Sequence, residues 1–176
     1  MNYYLDIETT GLEEKQNKII TIQYMELDKN AGNPVGPLKI LKEWDDDEKT
    51  ILKRFIEEFK PEDKWAFIPV GYGLGFEHRF FWERCKFNGL GEFSIFNGPF
   101  LDLMTVGVLM NKGESYGSGL DKMTNKPHDG KIIVQWYKEE KYTEIENYIK
   151  KEAEEFRNFY AKLLVEMPQL REKKFR

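Results

Sequence analysis

A short segment near the start of the chain places two carboxylates in a stretch that is otherwise apolar. Residues 3–8 read Tyr-Tyr-Leu-Asp-Ile-Glu, so that Leu5 and Ile7 alternate with Asp6 and Glu8. Side chains two residues apart in a strand point to the same face, which predicts that Asp6 and Glu8 project together. Two carboxylates held close in a poorly solvated place need a compensating cation, and oxygen ligands suit Mg²⁺ or Mn²⁺. The alternative is that the strand ends early and both residues are solvated in the next turn.

The order of the apolar segments predicts an α/β fold with a mixed β-sheet, an antiparallel meander plus parallel strands, flanked by helices. Residues 18–27 alternate as a half-buried strand, and residues 35–44 follow as a third strand that Pro37 weakens. The continuous apolar run at residues 65–70 is typical of a strand covered on both faces. We therefore expect residues 2–8 at the centre, with residues 35–44 at the edge beyond the second strand. Helices are predicted over residues 48–59, 76–87, 120–123 and 142–167, and from Asp102 to about residue 110, with a break at residues 126–130.

Composition limits the class of protein. The chain has 176 residues, of which 40% are hydrophobic and 15% aromatic, which is typical of a globular protein and predicts a single domain over residues 1–176. A net charge of -4 provides no general attraction for nucleic acid, so local basic patches would have to supply it.

The single cysteine, Cys85, excludes an intramolecular disulfide and is expected to be buried. With no signal-peptide pattern and no apolar run of membrane length, we expect a cytoplasmic protein that does not bind membranes.

Three further acidic features lie at predicted helix starts. Glu77 follows a Gly-rich turn, Gly-Tyr-Gly-Leu-Gly at residues 71–75, just beyond the carboxyl end of a strand, where ligands collect in α/β sheets. Its alternative role is to complement the helix dipole. Asp102 is another candidate for an acidic cluster, although capping the next helix explains it equally well. The acidic run at residues 45–48 is interpreted as the cap and first turn of a helix.

The last helix carries a glutamate on its apolar face. Glu152 lies four residues after Tyr148 and four before Phe156, in a stripe with helical spacing. A carboxylate on an apolar stripe is expected to be paired or bound to a metal ion. The alternative is a position at the margin of the stripe, from which the side chain reaches solvent.

Together these motifs resemble the DEDD superfamily of 3′–5′ exonucleases, in its tyrosine subgroup, which has a ribonuclease H-like fold. The run DIETTGL resembles the first motif of that family, GYGLGFEHRFF resembles a variant of the second, and YIKKE resembles the third. The resemblance covers nearly the whole chain. The chain departs from the family pattern by having Glu77 and Glu152 in place of aspartates, and Tyr72-Gly73 in place of His-Asn.

The resemblance implies a two-metal mechanism on single-stranded 3′ ends, with DNA favoured, RNA as a second substrate class, and nucleoside 5′-monophosphates as products. Two divalent ions, Mg²⁺ or Mn²⁺, would be bound by the four carboxylates, and Tyr148 would orient the attacking water. The implied catalytic residues are Asp6, Glu8, Glu77, Tyr148 and Glu152, and the implied substrate-binding residues are Thr9, Thr10, Gly11, Leu12, Tyr72 and Phe76. DNA replication or repair proteins are the implied partners.

Two other interpretations stay open at this point. A degenerate exonuclease could bind nucleic-acid ends or a polymerase without cutting, which the two Asp-to-Glu changes favour. A structural or interaction domain could use Asp6 and Glu8 as turn residues, although it would leave the place of Glu152 unexplained. For an active enzyme we expect higher activity with Mn²⁺ than with Mg²⁺, because Mg²⁺ demands near-ideal octahedral geometry.

Overall fold

A five-stranded mixed sheet forms the centre of the computed structural model, which describes residues 1–124 and 130–172. The strands are β1 (Asn2–Thr9), β2 (Ile19–Leu27), β3 (Lys39–Lys42), β4 (Ile68–Gly71) and β5 (Leu101–Asp102). Their order in the sheet is β3-β2-β1-β4-β5, with β1 antiparallel to β2 and parallel to β4. The predicted α/β class, the central position of β1 and the edge position of β3 beside β2 are confirmed.

Helices cover the sheet. They are α1 (Glu48–Phe59), α2 (Gly75–Phe87), α3 (Met104–Met110), α4 (Leu120–Met123), α5 (Lys131–Lys138) and α6 (Tyr142–Glu172). The first begins as predicted, because the side chain of Asp47 accepts a hydrogen bond of 2.7 Å from the backbone N–H of Thr50. No helix in the described ranges combines the length and the apolar character needed to cross a bilayer.

Alternate residues of β1 enter different cores. Leu5 and Ile7 belong to an apolar cluster with side chains of α1 and α2, and Cys85 is fully buried there. Tyr4 belongs to a second cluster that includes Phe156 and Tyr160 of α6. Asp6 and Glu8 share the parity of Tyr4, so the period of two that buries the strand also brings both carboxylates to the α6 face.

Two predicted strands are shorter than expected. Residues 35–44 contribute only β3, and Pro34 makes an isolated antiparallel bridge with Leu27 before the chain reaches it. Pro37 has no N–H to donate, which explains why the ladder does not run through it. Residues 65–67 lie outside β4, and Trp65 is 62% exposed. The side chain of Asp63 accepts from the N–H of Trp65 at 3.0 Å, so a local turn replaces the start of the predicted strand.

The helix α5 was not predicted. Within Lys131–Lys138, Ile133 is buried in a cluster with Ile20, Ile145 and Tyr148, so the helix is stabilised by tertiary packing on β2 and α6. The predicted break at residues 126–130 lies outside the described residues, apart from Gly130. The last helix begins at Tyr142 as predicted and continues beyond residue 167 to Glu172.

Candidate metal centre

Carboxylates from opposite ends of the chain meet on the α6 face of β1. Asp6, Glu8 and Glu152 each offer an oxygen, and these atoms all lie within 4.8 Å of one another. Glu152 is 6% exposed, so it does not reach bulk solvent from the margin of the helix. The ring of Tyr4 packs on that of Phe156 at 4.8 Å, and this contact fixes α6 against β1 on the carboxyl side of Glu152. The arrangement concentrates negative charge in a poorly solvated place.

Glu77 lies beside this cluster but outside the tight group of three. It is 4% exposed, and within the described part of the chain its Oε2 is buried without a hydrogen-bond partner. Burial raises the pKa of the Glu77 carboxyl well above its ordinary value, and the negative charge of Asp6 raises it further. In the metal-free protein Glu77 therefore holds a proton more readily than a solvated glutamate does.

Hydrogen bonds from neighbouring side chains hold Asp6. Its Oδ2 accepts from the hydroxyl of Tyr4 at 3.2 Å and from the Nε2 of Gln23 at 3.0 Å. Gln23 in turn accepts at its Oε1 from the hydroxyl of Thr21 at 2.9 Å. Sequence analysis did not single out Gln23 or Thr21. A signal was present, because both are polar side chains that alternate with the buried apolar residues Ile20, Ile22 and Tyr24.

Tyr148 lies one helical turn before Glu152 on α6 and is almost fully buried. Burial raises the pKa of its hydroxyl, and the charges of Glu152 and Glu8 add to the effect. The hydroxyl therefore stays protonated near neutral pH. Its ring meets Trp136 of α5 edge-on, with the centroids 6.4 Å apart, so α5 packs against this tyrosine.

A cavity of about 790 Å³ opens over the carboxylates. Leu12 at its wall is 71% exposed, as expected for an apolar side chain beside the acidic cluster. Every site residue named from the sequence lines this cavity: Asp6, Glu8, Thr9, Thr10, Gly11, Leu12, Tyr72, Phe76, Glu77, Tyr148 and Glu152. Sequence analysis missed lining residues from three later helices, namely Met104, Leu120, Lys131 and Val134. The catalytic and binding roles of the residues that were named from the sequence stay predictions.

Asp102 has a structural part in forming the cavity. Asp102 does not line the cavity. Its Oδ1 accepts hydrogen bonds from the backbone N–H of Gly73 at 2.8 Å and of Met104 at 3.0 Å. The first bond holds the Gly-rich turn before α2, and the second satisfies a donor at the start of α3. Gly73 has a φ of +84°, a conformation that residues with a Cβ rarely adopt.

The residues of the cluster fit a divalent cation. All the donors are carboxylate oxygens, which hard cations such as Mg²⁺ and Mn²⁺ prefer. The buried Oε2 of Glu77 has no partner within the described residues, although buried polar oxygens normally have one. A cation would meet that requirement and would screen the repulsion among Asp6, Glu8 and Glu152.

Comparisons with known proteins concern the fold. A family model of the ribonuclease H superfamily matches residues 3–126. No curated protein sequence is significantly similar to the chain.

Solved structures of exonuclease I share its fold. One, E. coli exonuclease I in complex with a 5cy-dA13 oligonucleotide, has a TM-score of 0.51 and 12% identity, and the match covers 66% of this chain and 31% of that one. Another, with a dA16 oligonucleotide, has a TM-score of 0.50, 13% identity and the same coverage of 66% and 31%. The chain thus corresponds to about a third of the length of exonuclease I. Since the family model spans most of the sequence and the sheet has the expected mixed topology, the chain belongs to the ribonuclease H superfamily.

Proposed function

We propose that this protein is a metal-dependent 3′–5′ exonuclease of the tyrosine subgroup of the DEDD superfamily. It would act on single-stranded ends, with DNA favoured, as a single domain over residues 1–176. The observation that carries the proposal is the meeting of Asp6 and Glu8 from β1 with Glu152 from α6, whose oxygens lie within 4.8 Å of one another. Neither packing nor folding requires three carboxylates in that place, and their mutual repulsion opposes folding.

The comparisons support a nucleic-acid substrate. Exonuclease I, which shares the fold, has been solved in complex with dA16 and 5cy-dA13 oligonucleotides. The cavity of this chain combines carboxylates with aromatic and apolar walls, as a site for a nucleotide requires. Leu12 and Phe76 present apolar surface to a terminal base, and Tyr72 adds a second ring to the wall.

The metal-binding residues would be Asp6, Glu8, Glu77 and Glu152, which together suit two divalent ions. Bound there, the ions would lower the pKa of a water molecule and stabilise the charge on the leaving 3′-oxygen. Glu77 would have to give up its proton to become a ligand, because burial favours its neutral form.

The other residues of the site would position the reactants. Tyr148 keeps its proton, so it would orient the attacking water by hydrogen bonding and would not act as a base. The segment after β1 would hold the terminal nucleotide. Its shape is fixed by the Thr9 hydroxyl, which donates to the carbonyl of Gly11 at 2.6 Å, and by the N–H of Thr10, which donates to the carbonyl of Lys18 at 3.0 Å.

A second candidate function is the binding of nucleic-acid ends without cleavage. The position of Glu77 favours this second function. Its carboxyl lies outside the group of three, and burial favours its neutral form. A site with three ligands and a protonated fourth would hold one ion more readily than two.

End-labelled single-stranded DNA and RNA, incubated with the protein and either Mg²⁺ or Mn²⁺, separate the two functions. The exonuclease is expected to shorten the strands from the 3′ end and to release 5′-mononucleotides, faster with Mn²⁺. A 5′ label reports a ladder of shortened strands, and a 3′-phosphorylated strand serves as the control for direction. Binding of single strands without shortening of DNA or RNA by either metal would contradict the exonuclease and support the end-binding protein.

A further inference from the structure

Gln23 lies directly opposite Asp6 in the antiparallel pairing of β1 with β2. Thr21 is opposite Glu8 in the same register, so these two polar residues of β2 face the acidic positions of β1. Side chains that are directly opposite across an antiparallel pair come within contact distance. Gln23 and Thr21 are both 0% exposed. A fully buried glutamine in an apolar sheet is unfavourable unless its amide is fully hydrogen-bonded, so its presence calls for a reason.

The amide of Gln23 has one consistent orientation. The hydroxyl of Thr21 donates to Oε1 at 2.9 Å, which leaves Nε2 to donate to Asp6 at 3.0 Å. The reverse orientation would bring the amide oxygen against a carboxylate, which accepts hydrogen bonds and has none to donate when ionised. The carboxylate of Asp6 therefore requires a donor from Gln23, and the Thr21 hydroxyl supports this orientation by donating to Oε1.

Both donors to Asp6 end on the same oxygen. Tyr4 and Gln23 each donate to Oδ2, and a carboxylate oxygen has two lone-pair directions. Both directions on Oδ2 are thereby used, so a cation would bind Asp6 through Oδ1, the oxygen that neither Tyr4 nor Gln23 occupies. An oxygen that already accepts two hydrogen bonds is a poor ligand for a hard cation.

We infer that Gln23, supported by Thr21, is a positioning residue that reserves Oδ1 of Asp6 for the divalent cation. The inference rests on the proposed function, because it assigns to Asp6 the role of a metal ligand. Gln23 touches neither substrate nor ion. It acts by fixing the rotation of the Asp6 carboxylate, as hydrogen-bonded partners of metal ligands do in other sites.

The test measures Mn²⁺ affinity by isothermal titration calorimetry on the full chain. Gln23→Met keeps the length of the side chain and removes the donor, and we expect Mn²⁺ affinity to fall about 10–100-fold. Thr21→Val removes the supporting hydroxyl with little change of shape, and a smaller loss in the same direction is expected. Ile22→Val is the matched control, because Ile22 is equally buried on the same strand but faces the other core. It should lower the melting temperature and leave Mn²⁺ affinity unchanged.

A purely structural role for Gln23 makes the opposite prediction. In that case Gln23→Met would lower the melting temperature, as Ile22→Val does, with Mn²⁺ affinity within twofold of the parent, and the inference would be overturned. If Gln23→Met does not fold, Thr21→Val decides, and an unchanged Mn²⁺ affinity in that variant overturns the inference. Restoration of nuclease activity of either variant by higher Mn²⁺ concentration would support it. Lack of Mn²⁺ binding by the parent protein would instead overturn the proposed function.

Discussion

Glu48 at the start of α1 and Glu77 in the first turn of α2 are both buried glutamates, yet their surroundings are opposite. The carboxylate of Glu48 accepts from the Arg84 guanidinium at 2.7 and 2.9 Å, from the N–H of Ile19 at 2.8 Å and from Asn88 at 3.0 Å. Glu77 faces the negative charge of Asp6, and its Oε2 has no partner among the described residues.

The carboxylate of Glu48 stabilises the fold through its ion pair, whereas the carboxyl of Glu77 is buried without such a stabilising contact to a cation among the described residues. Arg84 is itself buried, so Glu48 and Arg84 compensate each other and join α1 to α2. Glu77 faces an acid in place of a cation, and burial together with the negative charge of Asp6 raises its pKa. A buried acid that faces another acid is a candidate for a ligand site, whereas a buried acid paired with a cation is better explained by structure.

The largest expected effect is on catalysis. Asp6→Ala removes the carboxylate that contacts both Glu77 and the hydrogen-bond network of Gln23, and nuclease activity should fall by orders of magnitude. The measurement is the rate of mononucleotide release from labelled single strands with Mn²⁺. Glu13→Ala, a change of an exposed acid on the loop after the site, is the control and should keep activity. Comparable activity of Asp6→Ala and the parent would remove the acidic cluster from the mechanism.

The next effect is on stability, and it concerns the other glutamate. Glu48→Ala leaves the Arg84 guanidinium buried without its anion, which should lower the free energy of unfolding by about 3–5 kcal/mol. Urea denaturation followed by circular dichroism measures the loss. The double variant Glu48→Ala with Arg84→Met should recover a large part of it, because no unpaired charge remains. A loss below about 1 kcal/mol would mean that the ion pair of Glu48 with Arg84 stabilises the fold no more than an exposed ion pair does.

Glu77→Gln should change stability in the opposite direction. The folded protein binds a proton at Glu77 over a pH range in which the unfolded chain, with a pKa of about 4.3, has lost it. Stability of the metal-free protein therefore declines as pH rises from about 4.3 through the raised folded pKa. Glu77→Gln removes this pH-dependent destabilisation. The melting temperature of the variant in EDTA should therefore exceed that of the parent by a few degrees at pH 8 and by less at pH 5.

The same variant provides its own control with metal. Mn²⁺ should raise the melting temperature of the parent more than that of Glu77→Gln, because the amide is a weaker ligand than the carboxylate. If Glu77→Gln is destabilised in EDTA at pH 8, the carboxylate of Glu77 has a structural partner and the contrast with Glu48 fails.

The smallest effect is expected from shortening a ligand without removing it. Glu152→Asp keeps the charge and the ligand type and withdraws the carboxylate by about 1.5 Å. Activity with Mn²⁺ should stay within about tenfold of the parent, and the ratio of Mg²⁺ to Mn²⁺ activity should change, since Mg²⁺ is stricter in its geometry. Parallel rate measurements with the two ions give this ratio. An unchanged ratio would mean that the oxygen of Glu152 does not touch the ion.

The sheet and the long helices could be predicted because their signals are local. Alternation marks β1 and β2, and Asp47 marks the start of α1. The convergence of Asp6, Glu8 and Glu152 could be proposed from parity on a strand and from a stripe on a helix, since each pattern identifies a buried face.

Features that depend on contacts distant in sequence could not be predicted in this way. The ion pair of Glu48 with Arg84 joins two helices, and the acidic run around Glu48 indicated only a helix cap. Gln23 acquires its role from the register of β2 against β1. The eight-residue helix α5 is too short to form by itself and depends on packing against β2 and α6. Each of these requires the fold before it can be recognised.

The burial of Cys85 has a practical consequence. It is the single cysteine of the chain, and burial raises the pKa of its thiol to about 12. Because the thiolate is the nucleophile, maleimide and iodoacetamide reagents should leave the folded protein unlabelled near neutral pH. A Leu12→Cys substitution would then carry a fluorophore at one defined point on the rim of the cavity, with the native thiol left in place. The arrival and departure of a strand end could be followed there by fluorescence in real time.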